Sequence, residues 1–337
     1  MSHPADPHGS HDAAPFIVVP GAPQTLAVTS LDAVDEQARQ YIADAVAQNT
    51  RRAYRSDWRL FTSWCADRGL EPLPASASTV ARFLTDQAAT KTVATLHRRL
   101  SAIVQAHRAA GHPSPSDDQT VRTVWRGIRR SKGTAPTKKR PLLTEDVRRL
   151  LAVLPDDLLG ARDRALLLLG FAGALRRSEL VELDVADVEL VPDRGALVTI
   201  RRSKTDQEGQ GERIPLHTGA DPATCPVSTL ATWLEVSGIE AGPIFRPINR
   251  HLTISPDRLT AQSVALIVKR TAVAAGLDPA RFAGHSLRSG FATAAAIAGA
   301  ELHAIMRQTR HRSATVAAGY VRDADPFRGS AGALVGL

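Results

Sequence analysis

Apolar residues recur every three or four positions along most of this chain, and only between residues 185 and 216 does the interval shorten to two. The longer interval marks one face of an α-helix and the shorter a half-buried strand. The expected fold is therefore mainly α with one small antiparallel β-sheet. Val34, Ala38, Tyr41, Ile42 and Ala45 outline a first helix. A second, opened by Asn49 or Thr50 as cap, carries Tyr54, Trp58, Phe61 and Cys65 and ends near Gly69. Three more are expected near 78–89, 91–110 and 117–130. Beyond Pro141, Thr144 can cap a helix running to Leu154, and an apolar helix follows over 161–172. Val185–Leu190, Ala196–Arg201 and Arg213–Leu216 read as three short strands, and helices return near 227–237, 261–275, 286–298, 301–309 and 313–321.

A chain of 337 residues accommodates two domains. The first 30 residues hold five prolines and little apolar period, which reads as a disordered tail. The polar, basic segment from Ser131 to Pro141 reads as a linker. The expected division is a tail over 1–30, a helical domain over 31–131, a linker over 132–141, an α+β domain over 142–325 and a tail over 326–337. Cys65 and Cys225 stand 160 positions apart, too few and too distant for a disulfide framework or a cysteine-rich zinc site. No run of about 18 apolar residues and no signal-peptide pattern occurs, so a cytoplasmic protein without a membrane partner is expected.

Charge narrows the partner. The net charge of +8 divides into −2 over residues 1–30, +9 over 31–140 and +1 over 141–337, and residues 91–140 hold 12 bases against 2 acids. Such a concentration calls for a polyanion, and nucleic acid is the commonest. Arg98, Arg99, Arg122, Arg126, Arg129, Arg130, Lys132, Lys138, Lys139 and Arg140 are the candidate DNA-binding bases. A solvated basic face kept for solubility would share this composition.

The chain has no phosphate-binding G-x-x-x-x-G-K-[ST] loop, no G-x-G-x-x-G after a strand, no H-E-x-x-H and no acidic cluster suited to two metal ions. Phosphoryl transfer here would rest on cationic side chains: donors for the phosphate oxygens, a nucleophile, and an acid for the leaving oxygen. Arg176 follows a helix end with Glu179 three residues on, where the carboxylate can orient a guanidinium. His285 and Arg288 share the same spacing at the start of an alanine-rich helix. Lys204 sits in a hairpin turn. His311 and Tyr320 are nine residues apart, about 900° on an unbroken helix and so on opposite faces. A shared site needs a break, and Arg312-Ser313 can supply one. Taken singly, each fits a surface pair or a solvated turn.

In that order and at those distances, Ala174–Leu180, Ser203–Thr205 leading to Arg213–Leu216, His285–Arg288, and His311 with Tyr320 resemble the tyrosine recombinases, the phage integrase family, over about residues 35–325. The resemblance implies a helical core-binding domain joined to an α+β catalytic domain, and DNA strand exchange through a 3′-phosphotyrosyl intermediate. Tyr320 would attack phosphorus, Arg176 and Arg288 would clamp its oxygens, and Lys204 would protonate the leaving 5′-oxygen. His285 would accept the phenol proton, His311 would donate to a phosphate oxygen, and Glu179 would hold the others. No metal and no cofactor is implied; the implied partners are double-stranded DNA and further copies of the chain, as a tetramer on two DNA sites. The same chemistry also serves type IB topoisomerase-like relaxation and telomere resolution, and a non-catalytic DNA-binding relative would keep the fold. Members usually carry glycine before the second histidine, where this chain has Arg310. Glycine permits a positive φ or close packing; an arginine there offers a further phosphate contact.

Overall fold

The computed structural model of the protein describes residues 37, 41, 47–135, 139–203, 206, 209–325, 327 and 335. The chain divides into two compact units, Met1–Thr134 and Ala135–Leu337, with the division inside the expected linker. Of the expected first helix, Gln37 and Tyr41 are helical, while Val34, Ala38, Ile42 and Ala45 lie outside the described residues. Lys138, Lys204 and both tails, apart from Phe327 and Val335, also lie outside them.

The first unit contains α1 (Gln48–Ala66), α2 (Ala77–Ala88), α3 (Val93–Ala109) and α4 (Gln119–Lys132). Side chains set three of the starts. Ser76 accepts from the Thr79 N–H at 3.1 Å, Thr92 from Thr95 at 3.4 Å, and Asp118 from Thr120 at 2.7 Å, each satisfying an orphan donor of a first turn. Neither Asn49 nor Thr50 caps α1: the helix already runs from Gln48, and the Asn49 carboxamide accepts from Arg52 instead. Phe61, Trp64 and Phe83 pack edge to face, with centroids 5.0 and 5.3 Å apart, among Val80, Leu84, Leu100, Ile103 and Val121. α4 turns Val121 inward and leaves Arg122, Arg126, Arg129 and Arg130 exposed along its outer face.

The second unit contains α5 (Thr144–Ala152), α6 (Leu158–Ala172), α7 (Arg177–Glu182), β1 (Val188–Val191), β2 (Gly195–Ile200), β3 (Glu212–His217), α8 (Pro226–Ser237), α9 (Ala261–Ala274), α10 (Ser286–Ile297), α11 (Leu302–Thr309) and α12 (Ala314–Ala324). The strands form an antiparallel sheet in the order β1-β2-β3, with Val198 opposite both Val188 and Ile214. Its register buries Ala196, Val198 and Ile200 on one face, against Leu166 to Leu169 of α6 and Trp233 of α8 within one core. Two boundaries differ from expectation. Val185–Asp187 is a 3-10 turn, because the Asp187 carboxylate accepts from the Asp184 N–H at 2.8 Å and closes it. Thr144 is the first residue of α5 and not its cap; Asp146 accepts from the Leu143 N–H at 3.1 Å.

α10 approaches the strand-like segment at Leu142 so closely that a Cβ on Gly290 would meet the Leu142 carbonyl oxygen at 1.9 Å. Glycine is required there by space, and the contact fixes the depth of the turn that carries Arg288. Among the described residues, no helix is long and apolar enough to cross a membrane.

Candidate active site

The site is built on a tight turn at the end of α6. Gly173 closes the helix, and the next residue, Ala174, takes the left-handed conformation at φ 46°. This leaves the Gly173 and Ala174 carbonyl oxygens without helical partners, and arginines fill the vacancies. Arg288 Nη1 donates to the Ala174 oxygen at 2.7 Å. Arg310 reaches the Gly173 oxygen at 3.3 Å and the Ala174 oxygen at 3.4 Å. Arg176, at the N-terminal cap of α7, donates through its backbone N–H to Glu179 Oε2 at 2.8 Å and through Nη1 to Oε1 at 2.5 Å. Arg310 Nη2 donates to Glu179 Oε2 at 2.6 Å. One buried carboxylate thus holds two guanidiniums.

The charge balance is incomplete. Arg288 is fully buried, and its Nε and Nη2 have no hydrogen-bond partner among the described residues. Burial and the neighbouring Arg176 and Arg310 charges push its guanidinium down to about 9, against the pull of Glu179 and Tyr320. Burial pushes the Glu179 carboxyl up, but the Arg310 charge and the bonds from Arg176 outweigh it and hold the group below the ordinary carboxylate range. Three cations around one carboxylate leave a net positive site that can take an anion.

The reactive edge faces this cluster. His285 is the residue before α10, and its Nε2 lies 3.3 Å from the Tyr320 hydroxyl. The Tyr320 ring stacks on His311, with centroids 5.5 Å apart and planes at 25°. The helix break that allows this falls between α11 and α12. Arg310 is left-handed at φ 55°, and Ser313 caps α12 by accepting from the Val316 N–H at 3.5 Å. Thr309 donates its hydroxyl to the Ile305 carbonyl at 2.6 Å, so its oxygen accepts from His311 Nδ1 at 2.7 Å. That bond fixes the proton on Nδ1 and leaves Nε2 as the second face of the ring. Burial, then the charges of Arg288, Arg176, His285 and Arg310, push His311 down to about 4.

Residues 140–326 match the phage integrase family, and residues 39–112 match its N-terminal SAM-like domain. An integrase/recombinase XerD homologue of Selenomonas ruminantium is 42% identical over 300 residues, covering 88% of this chain and 87% of the relative. The chain belongs to the phage integrase family, the tyrosine recombinases.

The recombinase Cre of Escherichia phage P1 is 25% identical over 333 residues, covering 91% of this chain and 95% of Cre. Among solved structures, the XerH site-specific recombinase bound to a palindromic difH substrate aligns with a TM-score of 0.58 at 19% identity. That alignment covers 77% of this chain and 72% of XerH. A lambda integrase tetramer bound to a Holliday junction also aligns at 0.58, with 18% identity, covering 87% and 77%. These likenesses establish the recombinase fold.

Of the site residues expected from sequence, this tyrosine recombinase brings Arg176, Glu179, His285, Arg288, His311 and Tyr320 into one cluster, while Lys204 lies outside the described residues. The sequence singled out Arg310 only as a departure from the family pattern, with a phosphate contact as its added function. The structure gives it the positive φ of the glycine it replaces, but its side chain is 2% exposed and committed to Glu179. Nothing in the sequence marked the Ala174 carbonyl or Thr309, whose roles come from backbone placement.

The candidate DNA-binding bases separate into kinds. Arg122, Arg126, Arg129, Arg130 and Lys132 are exposed on α4, with Arg122 paired to Asp117 at 3.7 Å and Lys132 donating to the Ala88 carbonyl. Arg98 is half exposed and forks onto Asp57 at 2.7 and 3.1 Å. Lys139 donates to the Ala280 carbonyl at 2.7 Å, and Arg140 pairs with Asp146 at 3.2 Å. Arg99 corrects the reading from sequence: its side chain is 8% exposed, bonded to Gln87 and 3.8 Å from Asp57, and serves packing within the unit.

Proposed function

We propose that this chain is a site-specific DNA recombinase that cuts and rejoins double-stranded DNA through a 3′-phosphotyrosyl intermediate on Tyr320. The observation that carries the reading is the Tyr320 hydroxyl, 3.3 Å from His285 and beside a cation cluster that can take an anion. A scissile phosphodiester supplies that anion. Arg176 and Arg288 offer planar donor forks to its non-bridging oxygens and stabilise the added charge of the pentavalent state.

A free phenol, with a pKa of about 10, is almost wholly protonated at neutral pH and needs a base. In the proposed step the Tyr320 proton passes to His285 Nε2, the Oη–phosphorus bond forms, and the bond from phosphorus to the 5′-oxygen breaks. Lys204 delivers the proton that the departing 5′-oxygen requires. Glu179 holds Arg176 in place, and His311 donates to a phosphate oxygen once that oxygen offsets the surrounding cations. The new ester keeps the energy of the broken one, so a 5′-hydroxyl from another strand reverses the step.

The exposed bases of α4, with Arg98 and the Lys138–Arg140 segment, bind the phosphate backbone; such contacts fix position and leave sequence choice to groove contacts. The assembly is a tetramer on two DNA sites, working in the cytoplasm. Support for the assembly comes from the lambda integrase tetramer on a Holliday junction, whose fold this chain shares.

The test is a suicide substrate, a nicked duplex whose short 5′-hydroxyl strand diffuses away after cleavage. Denaturing electrophoresis should show a protein–DNA adduct, and peptide mapping should place it on Tyr320. An adduct on another residue would remove the assignment.

A further inference from the structure

Resting on the phosphotyrosyl reading above, we propose that Arg310 is a positioning residue that keeps Arg288 free for phosphate by occupying the Glu179 oxygen Arg288 would otherwise take. The argument starts from how few acceptors the cluster has. Glu179 Oε1 accepts from Arg176 Nη1, and Oε2 accepts from the Arg176 N–H and from Arg310 Nη2 at 2.6 Å. Arg288 and Arg310 both donate to the Ala174 carbonyl, at 2.7 and 3.4 Å, so they are neighbours on one acceptor. Of the two, only Arg310 reaches the carboxylate. Arg288 is left with Nε and Nη2 buried and without hydrogen bonds, a costly state that a nearby carboxylate oxygen would relieve.

The backbone explains why Arg310 wins. Its φ of 55° lets the chain leave α11 sharply, and the His311 N–H bonds back to the Met306 carbonyl at 3.2 Å. From that corner the side chain runs inward past the Gln308 carbonyl, 3.0 Å from Nη1, to Glu179. Its Nε has no hydrogen bond but lies 3.7 Å from the Glu212 carboxylate at the start of β3, and Gln308 donates to the Pro215 carbonyl of the same strand at 3.0 Å. Arg310 is therefore fastened from several sides and buried, which removes it from any direct contact with DNA. Quenching of the phosphate-binding arginine by its own carboxylate is a hazard of placing both in one pocket, and a second buried cation on that carboxylate prevents it.

The test compares Arg310→Lys, Arg310→Met and Arg310→Gln with the wild-type chain. It measures single-turnover adduct formation at saturating suicide substrate, DNA affinity as a function of salt, and melting temperature. Lysine keeps a cation on Glu179 and should cleave within about 5-fold of wild type. Methionine and glutamine free the oxygen for Arg288, removing in effect one phosphate donor, and should cleave about 100-fold more slowly. DNA affinity and its salt slope should stay unchanged in all three. Because neither neutral variant leaves the carboxylate without a cation, Arg176 and Arg288 both remaining beside it, at least one is expected to fold. Wild-type cleavage by a folded neutral variant would overturn the proposal, as would a lysine variant as slow as the neutral ones. A salt slope reduced by about 0.9 would instead place Arg310 on a phosphate and overturn it too. Failure of the wild-type chain itself to form an adduct would overturn both this role and the chemistry beneath it; any other failure falls on Arg310 alone.

Discussion

The hydroxyl of Tyr320 lies 3.3 Å from Nε2 of His285, although the two residues stand 35 positions apart, one on α12 and the other just before α10. The contact is made within one chain, which places the proposed base beside the proposed nucleophile. Replacing His285 with Asn should slow adduct formation by about 10²–10⁴-fold, the usual worth of a positioned general base. Tyr320→Phe should bind DNA within about two-fold of wild type, as its cations still face the phosphates, and form no adduct. Gel-shift titration beside single-turnover cleavage reads both outcomes.

Arg288 carries charge in a place where, among the described residues, nothing fully answers it. Arg288→Met should therefore raise the melting temperature of the free protein, since a buried unpaired cation is replaced by an apolar side chain of similar reach. The same variant should lose about 10²–10³-fold in cleavage at saturating DNA. Calorimetry and single-turnover kinetics on one preparation check the opposed signs.

Acid should destabilise the free protein in two steps. His311 is pushed down to about 4, whereas an unfolded histidine titrates near 6.5, so between those values the unfolded chain binds the extra proton. Its contribution to stability is complete above about pH 6.5 and is lost as pH falls toward 4. Glu179, held below its ordinary range, adds stability above its unfolded value, which is lost as pH falls through the folded one. Melting temperatures should fall across this window, and His311→Asn should flatten the upper part. Bound DNA neutralises part of the cation field, so DNA binding between about pH 4 and 6.5 should take up a proton, measurable by calorimetry in buffers of different ionisation enthalpy.

The bases of the first unit should give two different phenotypes. Ala at Arg122, Arg126, Arg129 or Arg130, exposed on α4, should lower the salt slope of DNA binding by about 0.9 for each phosphate left without its cation, with melting unchanged. Arg99→Ala should instead lower the melting temperature, because it leaves the buried Asp57 with Arg98 alone and Gln87 without its donor. Fluorescence anisotropy across a salt series, with thermal melts alongside, separates them.

Much of the fold was legible because periodicity is local. The three- and four-residue spacing from Phe61 through Ile128 marked the helices, and the alternation at Ala196, Val198 and Ile200 marked the central strand. Competition among neighbouring acceptors decided the misread boundaries. Asp187 closed a turn where Val185 suggested a strand, and Asp146 took the capping task assigned to Thr144.

The sequence by itself determined the two helical regions and the small sheet, and through the family resemblance it offered a candidate set of side chains for phosphoryl transfer. It also showed that a break was needed before His311 and Tyr320 could share a site. Only the tertiary structure decided which cations are spent on the protein and which stay available. Arg99 and Arg310 are buried against carboxylates with one nitrogen each left without a hydrogen bond, whereas Arg288, with the same side chain, pairs with no carboxylate among the described residues and keeps two nitrogens unsatisfied. The reason is that a guanidinium's fate depends on which acceptors lie within about 3 Å of it. Those acceptors come from more than a hundred positions away, the turn at Ala174 and Glu179 on α7, which no local pattern connects to Arg288 or Arg310.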